Sequence, residues 1–453
     1  MDKHTYIEPG DRVLTHRYVR REGDQMTPAQ IKSLTPRDVI NRLKELKPYF
    51  ASQARANELL ARPSDEVWYT LLSTGYMHMG IHKRFGGLQA SHEEILEATD
   101  TICEADASLG WVAMFCVNTP RQLGAYPLDV QEMLYKGGIA PTTTNLITPA
   151  GTAKKVPGGY LISGRWAWCT TIQVSDWSNM FVQIEDENGN RGPLSSFLAP
   201  STALTVVETW ESHGMIGTGT HHVVAEDVFV PEHMTPGENM ANWGNNSKEM
   251  FPNYPFMYAA TLPWGANCIA AICAASANGA VQAMRERLLA YNKRGSVIPE
   301  KEKMSQQMRL ARASVLATAA KLLVYKAASV CCDRLTDKDA PTREEYFETQ
   351  AWSAEACELA RQVVTMLMQS NGTSVHYLSS PIGRHFRDVH TGSSHAMTDY
   401  DPVIQKWGQE MLGVKKTPGM ALADQHKVRD EVAASRTGNY ARTSSESTAV
   451  KGI

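Results

Sequence analysis

Groups that can carry a proton near neutral pH are concentrated in one short stretch towards the C-terminal end of the chain. The segment RDVHTGSSHAMTDYDP supplies His390, His395, Asp399 and Asp401. An imidazole changes charge between about pH 5 and 8, so either histidine could place or donate one proton near neutrality. The structural alternative for His395 is to cap the turn that begins at Asp401. The stretch therefore predicts proton-handling chemistry, with His395 as the first candidate and His390 as the second.

An aromatic-rich segment in front of the long C-terminal helices could hold a flat ligand. The run FPNYPFMYAATLPW carries six large side chains: Phe251, Tyr254, Phe256, Met257, Tyr258 and Trp264. Such side chains stack on planar apolar compounds, and they could equally form a hinge packed on the core. We find no basic rim that would suit the acidic phosphates of an acyl-CoA. The run therefore favours a small uncharged ring compound as substrate.

Two other kinds of chemistry are not supported by the spacing of residues. The eight cysteines include no CxxC pair and no histidine at ligand spacing, so we expect buried reduced thiols and no metal site. The loop 214–220, GMIGTGT, is rich in glycine but no βαβ unit surrounds it, so it is not a dinucleotide fingerprint. We therefore expect no nicotinamide site on this chain.

Three sections of different periodicity must position the candidate groups. From about Pro28 to Val130 apolar residues recur at helical spacing, and Thr35 and Ser91 carry the signals of helix N-caps. From Ala140 to Pro231 short alternating runs between Gly, Pro and Asn predict antiparallel strands.

The helical period then returns in three long segments, which are Gly265–Asn292, Lys303–Leu335 and Arg343–Gln369. Together these sections predict an α+β protein with an N-terminal helical domain, a central antiparallel β-barrel or sandwich, and a C-terminal four-helix bundle. The expected boundaries are 1–138 for the arm and helical domain, 139–240 for the β domain, 241–423 for the bundle and 424–453 for a polar tail.

Composition narrows the partners and the compartment. With 45 Lys and Arg residues against 48 Asp and Glu residues, the net charge of −3 provides no field for a nucleic-acid backbone. No run of eighteen apolar residues occurs, and the first residues contain no apolar stretch of the signal-peptide kind. We therefore expect a cytoplasmic protein that binds neither nucleic acid nor membrane.

At the level of motifs the chain resembles the acyl-CoA dehydrogenase superfamily. The matching segments are GGYLISGRWAWCTTIQVSDW and WESHGMIGTGTHHVVAEDVFVP in the predicted β domain, with further similarity at Ser108–Trp111, at Gln307–Ala311 and at Arg387–Asp388. The resemblance covers about residues 30 to 415. Acyl-CoA dehydrogenases use a glutamate base in a segment after that Arg-Asp pair, and this chain has no glutamate there.

That stretch is instead similar to the two-component flavin-dependent monooxygenases of the same fold, such as the oxygenase component of p-hydroxyphenylacetate hydroxylase and dibenzothiophene monooxygenase. The resemblance implies an enzyme that takes reduced FMN or FAD from a separate NAD(P)H flavin reductase. It also implies that O2 is the co-substrate, activated as a flavin C4a-(hydro)peroxide, and that an aromatic compound of the phenolic, indolic or fused-ring kind is hydroxylated. The alternative is an FAD-dependent desaturase with an atypical base such as Asp399 or Asp401.

The same resemblance assigns site residues. It makes His395 and Thr170 catalytic, although the loop has Thr170 and Thr171 where the relatives commonly have Ser and Gly. It places the flavin against a set of eight residues, Trp168, Cys169, Thr170, Thr171, Gly217, Thr218, Arg294 and Gln307, with Arg294 reaching the flavin phosphate of a neighbouring subunit. It places the substrate against Trp111, Asn118, Tyr254, Phe256 and His395. An arginine that acts across subunits implies a homotetramer.

Overall fold

The computed structural model describes the greater part of the chain. The described ranges are residues 6–15, 17–21, 23–237, 243–259, 261–290, 292, 296–333 and 342–414. Residues Met1–Ile404 form one compact unit, and Gln405–Ile453 form a second, of which residues 405–414 are described.

Seven α-helices precede the first strand. They are α1 (Pro28–Lys32), α2 (Pro36–Leu60), α3 (Asp65–Leu72), α4 (His92–Ala105), α5 (Ala107–Val117), α6 (Thr119–Leu123) and α7 (Leu128–Leu134). The N-caps predicted at Thr35 and Ser91 are confirmed, because each side chain accepts a hydrogen bond from the backbone three residues on within a full capping box. Helix α5 is buried on almost every side, which is why its sequence shows no amphipathic period.

The six strands form one sheet with the order β4-β3-β1-β2-β6-β5. They are β1 (Thr143–Val156), β2 (Gly159–Cys169), β3 (Trp177–Glu185), β4 (Arg191–Pro200), β5 (Thr205–Val207) and β6 (His221–Pro231). Four of the pairings are antiparallel, as the sequence predicts, but β1 and β3 pair in parallel. The prediction of a purely antiparallel sheet is therefore wrong at one pairing.

The parallel pairing of β1 with β3 determines the path that the chain takes between β2 and β3. Strand β1 lies between β2 and β3 in the sheet, so the chain leaves the end of β2 and crosses the start of β1 before it enters β3. Residues 170–176, which we name the crossing loop, make this passage. The Thr171 hydroxyl donates to the Thr143 carbonyl at 3.1 Å, and the Thr142 N–H donates to the Asp176 carboxylate at 2.9 Å. The crossing loop is thus fastened at both ends to the start of β1.

Among the residues described after the sheet there are six α-helices. They are α8 (Trp243–Met250), α9 (Thr261–Ala290), α10 (Met304–Asp333), α11 (Arg343–Gln369), α12 (Pro381–Gly392) and α13 (Tyr400–Met411). The three long helices agree with the predicted segments. Helix α9 packs against α4, α10, α11 and α12, and its small residues permit this. A Cβ atom at Gly279 would lie 2.5 Å from the Glu104 carbonyl oxygen of α4.

Helix α10 differs from the other long helices because much of its apolar surface is not covered. The stretch Met304–Cys332 is long and apolar enough to cross a membrane, as the core helices of soluble proteins can also be. Only 39% of its most apolar 18-residue segment is buried. Met304, Met308, Val315 and Leu322 are exposed on it. This group of four is named the α10 apolar face.

A buried set of charged side chains lies where α2, α12 and the loop before β6 meet. The Arg387 guanidinium on α12 donates to the Glu58 carboxylate on α2 at 2.6 Å, and both side chains are almost fully buried. Next to this pair, the Asp388 carboxylate accepts the N–H of Met215 at 2.6 Å. Burial raises the pKa of Asp388 to about 7, and the nearby Asp106 carboxylate acts in the same direction. This set holds in place the loop 214–220, which we name the Met215 loop.

We predict that Gly279→Ala destabilises the protein although alanine is the better helix former. Helix propensity favours the exchange by about 1 kcal/mol, but the added Cβ would also lie 2.9 Å from the His385 ring, and overpacking costs about 1–3 kcal/mol. We expect a lower denaturation midpoint. Gly408→Ala in α13, where a Cβ would meet no atom within 4 Å, is the matched control and should be neutral or stabilising. Equal midpoints for the two variants would contradict the packing argument.

A second prediction concerns the pH dependence of stability. The folded state binds the Asp388 proton more tightly than the unfolded chain, so its contribution to stability is present at low pH and is lost as pH rises towards 7. Between pH 5 and 8 the wild type should lose about 2–3 kcal/mol more unfolding free energy than Asp388→Asn. Chemical denaturation at both pH values measures this. Exposed Asp399→Asn controls for the loss of a carboxylate, and parallel curves for wild type and Asp388→Asn would refute the prediction.

Candidate active site

A cavity of about 390 Å³ lies between α5, the sheet and the C-terminal end of α12. We name it the central cavity. One group of its lining residues is aromatic or apolar, namely Trp111, Phe115, Ile147, Trp168, Trp210 and Met215. A second group carries hydroxyl or amide groups, namely Thr143, Asn145, Thr170, Thr171, Thr218, Thr220, Thr391 and Ser394. Together with His395, these side chains give the cavity flat apolar walls and a polar edge. None of the described residues that line it carries a formal charge.

The aromatic wall is built around Trp111. Its ring lies 5.4 Å from that of Phe115 and 6.4 Å from that of His395, measured between centroids. The close approach requires a glycine at the end of α12, because a Cβ at Gly392 would lie 3.2 Å from the Trp111 ring and 2.9 Å from the Met215 methyl group. Gly392 therefore lets the two walls converge.

The end of β2, the crossing loop and the Met215 loop all enter the cavity in strained conformations. Trp168, Thr171 and Met215 have φ angles of 59°, 72° and 54°, in the left-handed region that non-glycine residues seldom adopt. At Thr171 this is the position where the sequence resemblance leads us to expect glycine. Its side chain compensates, because its hydroxyl donates to Thr143 and accepts from the Ser175 hydroxyl at 3.0 Å. The threonine is thus held in a conformation that glycine adopts freely.

His395 is presented to the cavity as a neutral donor. Its Nδ1 atom accepts the N–H of Met397 at 3.1 Å, which assigns the ring proton to Nε2. Burial lowers the pKa of His395 below its ordinary value. The imidazole therefore offers an N–H group at neutral pH without adding charge.

His390 faces away from the central cavity. Its Nε2 atom lies 3.1 Å from the Thr365 hydroxyl of α11, and its ring packs against that of Phe386 in a tilted arrangement, with 4.5 Å between the ring centroids. It lines an open groove of about 940 Å³ between α10, α11 and α12, which also holds Arg309 and Arg361. The two histidines proposed as alternatives thus belong to different surfaces, and His395 is the one in the central cavity.

The structure brings six of the predicted site residues together and places others elsewhere. Trp111, Trp168, Thr170, Thr171, Thr218 and His395 line the central cavity. Cys169 and Gly217 are neighbours of lining residues but do not line the cavity themselves. The Cys169 thiol donates to the Trp166 carbonyl, and a Cβ at Gly217 would lie 3.1 Å from the Ser108 side chain. Gln307 is exposed on α10 and bonds the Lys301 carbonyl. Arg294 lies outside the described residues.

The predicted substrate residues of the aromatic run do not line the central cavity. The Tyr254 hydroxyl donates to the Ala90 carbonyl at 3.0 Å, and Phe256 packs edge-on against Trp264 at 5.7 Å. Asn118 is also buried in this region and accepts the Trp264 indole N–H at 2.8 Å. These side chains therefore pack in the core and lie outside the central cavity, which favours the alternative of packing on the core over a stacking site for this run.

Sequence reasoning also missed residues of the cavity. Thr143 and Asn145 enter from β1, and the run of threonines at 142–144 was a signal that could have drawn attention to them. Thr220 ends the glycine-rich loop 214–220 and could have been found there, whereas Phe115 and Trp210 offered no such signal, since each is ordinary for its helix or loop. They meet only because α5 and the loop before β6 pack on the crossing loop.

The residues present fit a reduced or oxidised flavin ring. The flat walls suit a planar tricyclic group, and the hydroxyl and amide groups along one side suit the polar atoms of such a ring. Trp168, Thr170, Thr171, Thr218 and Thr220 are in position to hold it.

Comparison with known proteins supports the same assignment. Residues 267–400 match the family model described as acyl-CoA dehydrogenase, C-terminal domain. A pigment production hydroxylase from Rhodococcus sp. is 27% identical over 383 residues, which cover 84% of this chain and 97% of the relative. The oxygenase component of p-hydroxyphenylacetate 3-hydroxylase from Acinetobacter baumannii is 23% identical over 402 residues, which cover 87% of this chain and 93% of the relative.

Among solved structures, XiaF from Streptomyces sp., determined in complex with FADH2 and glycerol, superimposes with a TM-score of 0.77 at 22% identity. The match covers 87% of this chain and 98% of XiaF. The fold is therefore that of the acyl-CoA dehydrogenases, with mixed helices and sheet. The chain is a homologue of the oxygenase components of two-component flavin-dependent monooxygenases.

Proposed function

We propose that this protein is the oxygenase component of a two-component system, which uses reduced flavin and O2 to hydroxylate an aromatic compound. The observation that carries the proposal is that a neutral histidine and the Thr170 hydroxyl share one uncharged cavity with aromatic walls. The relatives named as hydroxylases over most of the chain point to the same reaction.

The residues that line the central cavity have different roles in this reaction. Bound reduced flavin supplies the electrons that activate O2. Thr170 and its neighbours on the polar edge would orient the ring, and the apolar walls would exclude water from the reacting atoms. His395 offers its Nε2–H as a hydrogen-bond donor near the reacting oxygen or the substrate, where a carboxylate would repel developing negative charge.

An uncharged aromatic substrate fits this cavity. No lysine or arginine is among its described lining residues, so a carboxylate or phosphate on the substrate would lose hydration without gaining a partner of opposite charge. Trp111 and Phe115 provide faces on which a phenol, an indole or a fused ring can stack.

The alternative, a desaturase with an atypical base, is not favoured. Asp399 and Asp401 are both exposed and neither lines the central cavity. Since a base for α-proton abstraction must reach the substrate within hydrogen-bond distance, these carboxylates are poorly placed for it.

The remaining features of the proposal extend the expectations from sequence. We propose a cytoplasmic enzyme whose three domains have the boundaries 1–138, 139–240 and 241–423, followed by the tail 424–453. A separate NAD(P)H flavin reductase supplies reduced FMN or FAD. Four copies assemble through the α10 apolar face, and Arg294 and Gln307 contact the flavin of a neighbouring copy.

The function is tested by mixing the protein anaerobically with reduced FMN or FAD and then adding O2 in a stopped-flow spectrophotometer. We expect a transient near-ultraviolet absorbance that precedes oxidised flavin. His395→Ala and Thr170→Ala should shorten its lifetime at least tenfold, because each removes a polar contact at the cavity. His376→Ala, which removes an exposed histidine that does not line the central cavity, is the control. Tightly bound oxidised FAD that an acyl thioester bleaches would contradict the proposal.

The assembly is tested by light scattering. We expect a mass of about four times 50.1 kDa. Leu322→Glu would bury a charge in the proposed contact and should lower the mass. Leu59→Glu on α2, where the leucine is similarly exposed, should not lower it. A monomeric wild type would refute this part.

A further inference from the structure

A continuous chain of side-chain hydroxyls runs along the polar edge of the central cavity. The indole N–H of Trp111 donates to the Thr170 hydroxyl at 3.4 Å. The Thr170 hydroxyl lies 3.1 Å from that of Thr220, which in turn lies 2.8 Å from that of Thr218. The Thr218 hydroxyl donates to the Met215 carbonyl at 2.8 Å. Five residues from three separate elements thus form one linear hydrogen-bonded path.

The direction of every proton in this path follows from its two ends. A carbonyl oxygen accepts only, so the single hydroxyl proton of Thr218 points to Met215. Thr220 must then donate to Thr218, and Thr170 must donate to Thr220. At the other end an indole N–H donates only, which agrees with Thr170 as its acceptor. The reverse orientation would need Trp111 to accept, which it cannot do.

The terminal carbonyl is fixed in place. The Met215 oxygen also accepts the indole N–H of Trp210 at 2.9 Å, and the Met215 N–H is held by the buried Asp388 carboxylate at 2.6 Å. Met215 is one of the three left-handed residues at the cavity. The buried set around Asp388 therefore defines where the hydroxyl chain ends.

We propose that Thr218 and Thr220 are positioning residues that turn the Thr170 proton away from the cavity, so that Thr170 acts there as a hydrogen-bond acceptor. Given the proposed function, and with N5 of the flavin ring set against Thr170, this selects the reduced ring, which carries an N–H at N5, over the oxidised ring, whose N5 has only a lone pair. A lone pair facing a lone pair is repulsive, whereas an N–H facing it is a hydrogen bond. The oxygenase thereby prefers the form that the reductase delivers and releases the form left after reaction.

The experiment compares dissociation constants of reduced and oxidised FMN, and of FAD, by anaerobic titration of the full-length protein. In Thr220→Val the Thr170 proton is free to turn towards an oxidised ring. The ratio of the oxidised to the reduced dissociation constant should fall about tenfold, which corresponds to about 30 mV in the two-electron potential of the bound flavin. Thr218→Val should act in the same direction, because Thr220 then loses its acceptor and can donate to Thr170.

Two controls separate polarity from packing. Thr220→Ser keeps the hydroxyl and should restore the wild-type ratio. Thr349→Val removes a buried threonine hydroxyl that bonds within α11 and should leave the ratio unchanged. A ratio that stays at the wild-type value in both Thr220→Val and Thr218→Val would overturn the inference even if the enzyme still hydroxylates. Failure of the wild type to bind either flavin in either redox state would overturn the proposed function itself, and the inference with it.

Discussion

The parallel pairing of β1 with β3 is the constraint from which the candidate site follows. It obliges the chain to cross the start of β1 at residues 170–176, and that crossing carries Thr170 and Thr171 to the edge of the sheet that faces α5 and α12. With an antiparallel hairpin at this point, the same residues would form a short solvent-exposed turn. The position of the polar edge of the cavity is therefore a result of strand topology.

Strain at this edge is balanced by buried polar contacts. Thr171 and Met215 both adopt left-handed backbone conformations, each of which costs on the order of 1–3 kcal/mol. Thr171 is held by the hydrogen bond from its hydroxyl to the carbonyl of Thr143, the first residue of β1. Met215 is held by the carboxylate of Asp388. Asp388 is in turn next to the buried Arg387–Glu58 pair, which ties α12 to α2. The cavity thus keeps its shape because rigid elements on three sides share these contacts.

The chemistry of the cavity is that of neutral groups. Burial keeps His395 uncharged, and the hydroxyl chain that ends at Met215 has one fixed orientation of its protons. Charges are present nearby, but they lie behind the cavity wall, at Asp388 and its neighbours. Dipoles held in one orientation can favour one form of a bound ring without the cost of burying an ion next to it.

The sequence was sufficient to predict the order of helices, strands and helices and the caps at Thr35 and Ser91, because periodicity and capping are local properties of the chain. Its short motifs also pointed to His395 and Thr170, which both line the central cavity. It could not separate His390 from His395, since both are histidines near the end of the same helix and only the packing of α12 turns them to different surfaces. It also could not show that Tyr254 and Phe256 belong to the core, because an aromatic run looks the same whether a ligand or the protein covers it. Contacts between residues far apart along the chain, such as Trp111 with Thr170 and Met215 with Asp388, leave no pattern in a single sequence. They arise only when helices and sheet pack, and it is packing that made the central cavity and the direction of its hydrogen bonds.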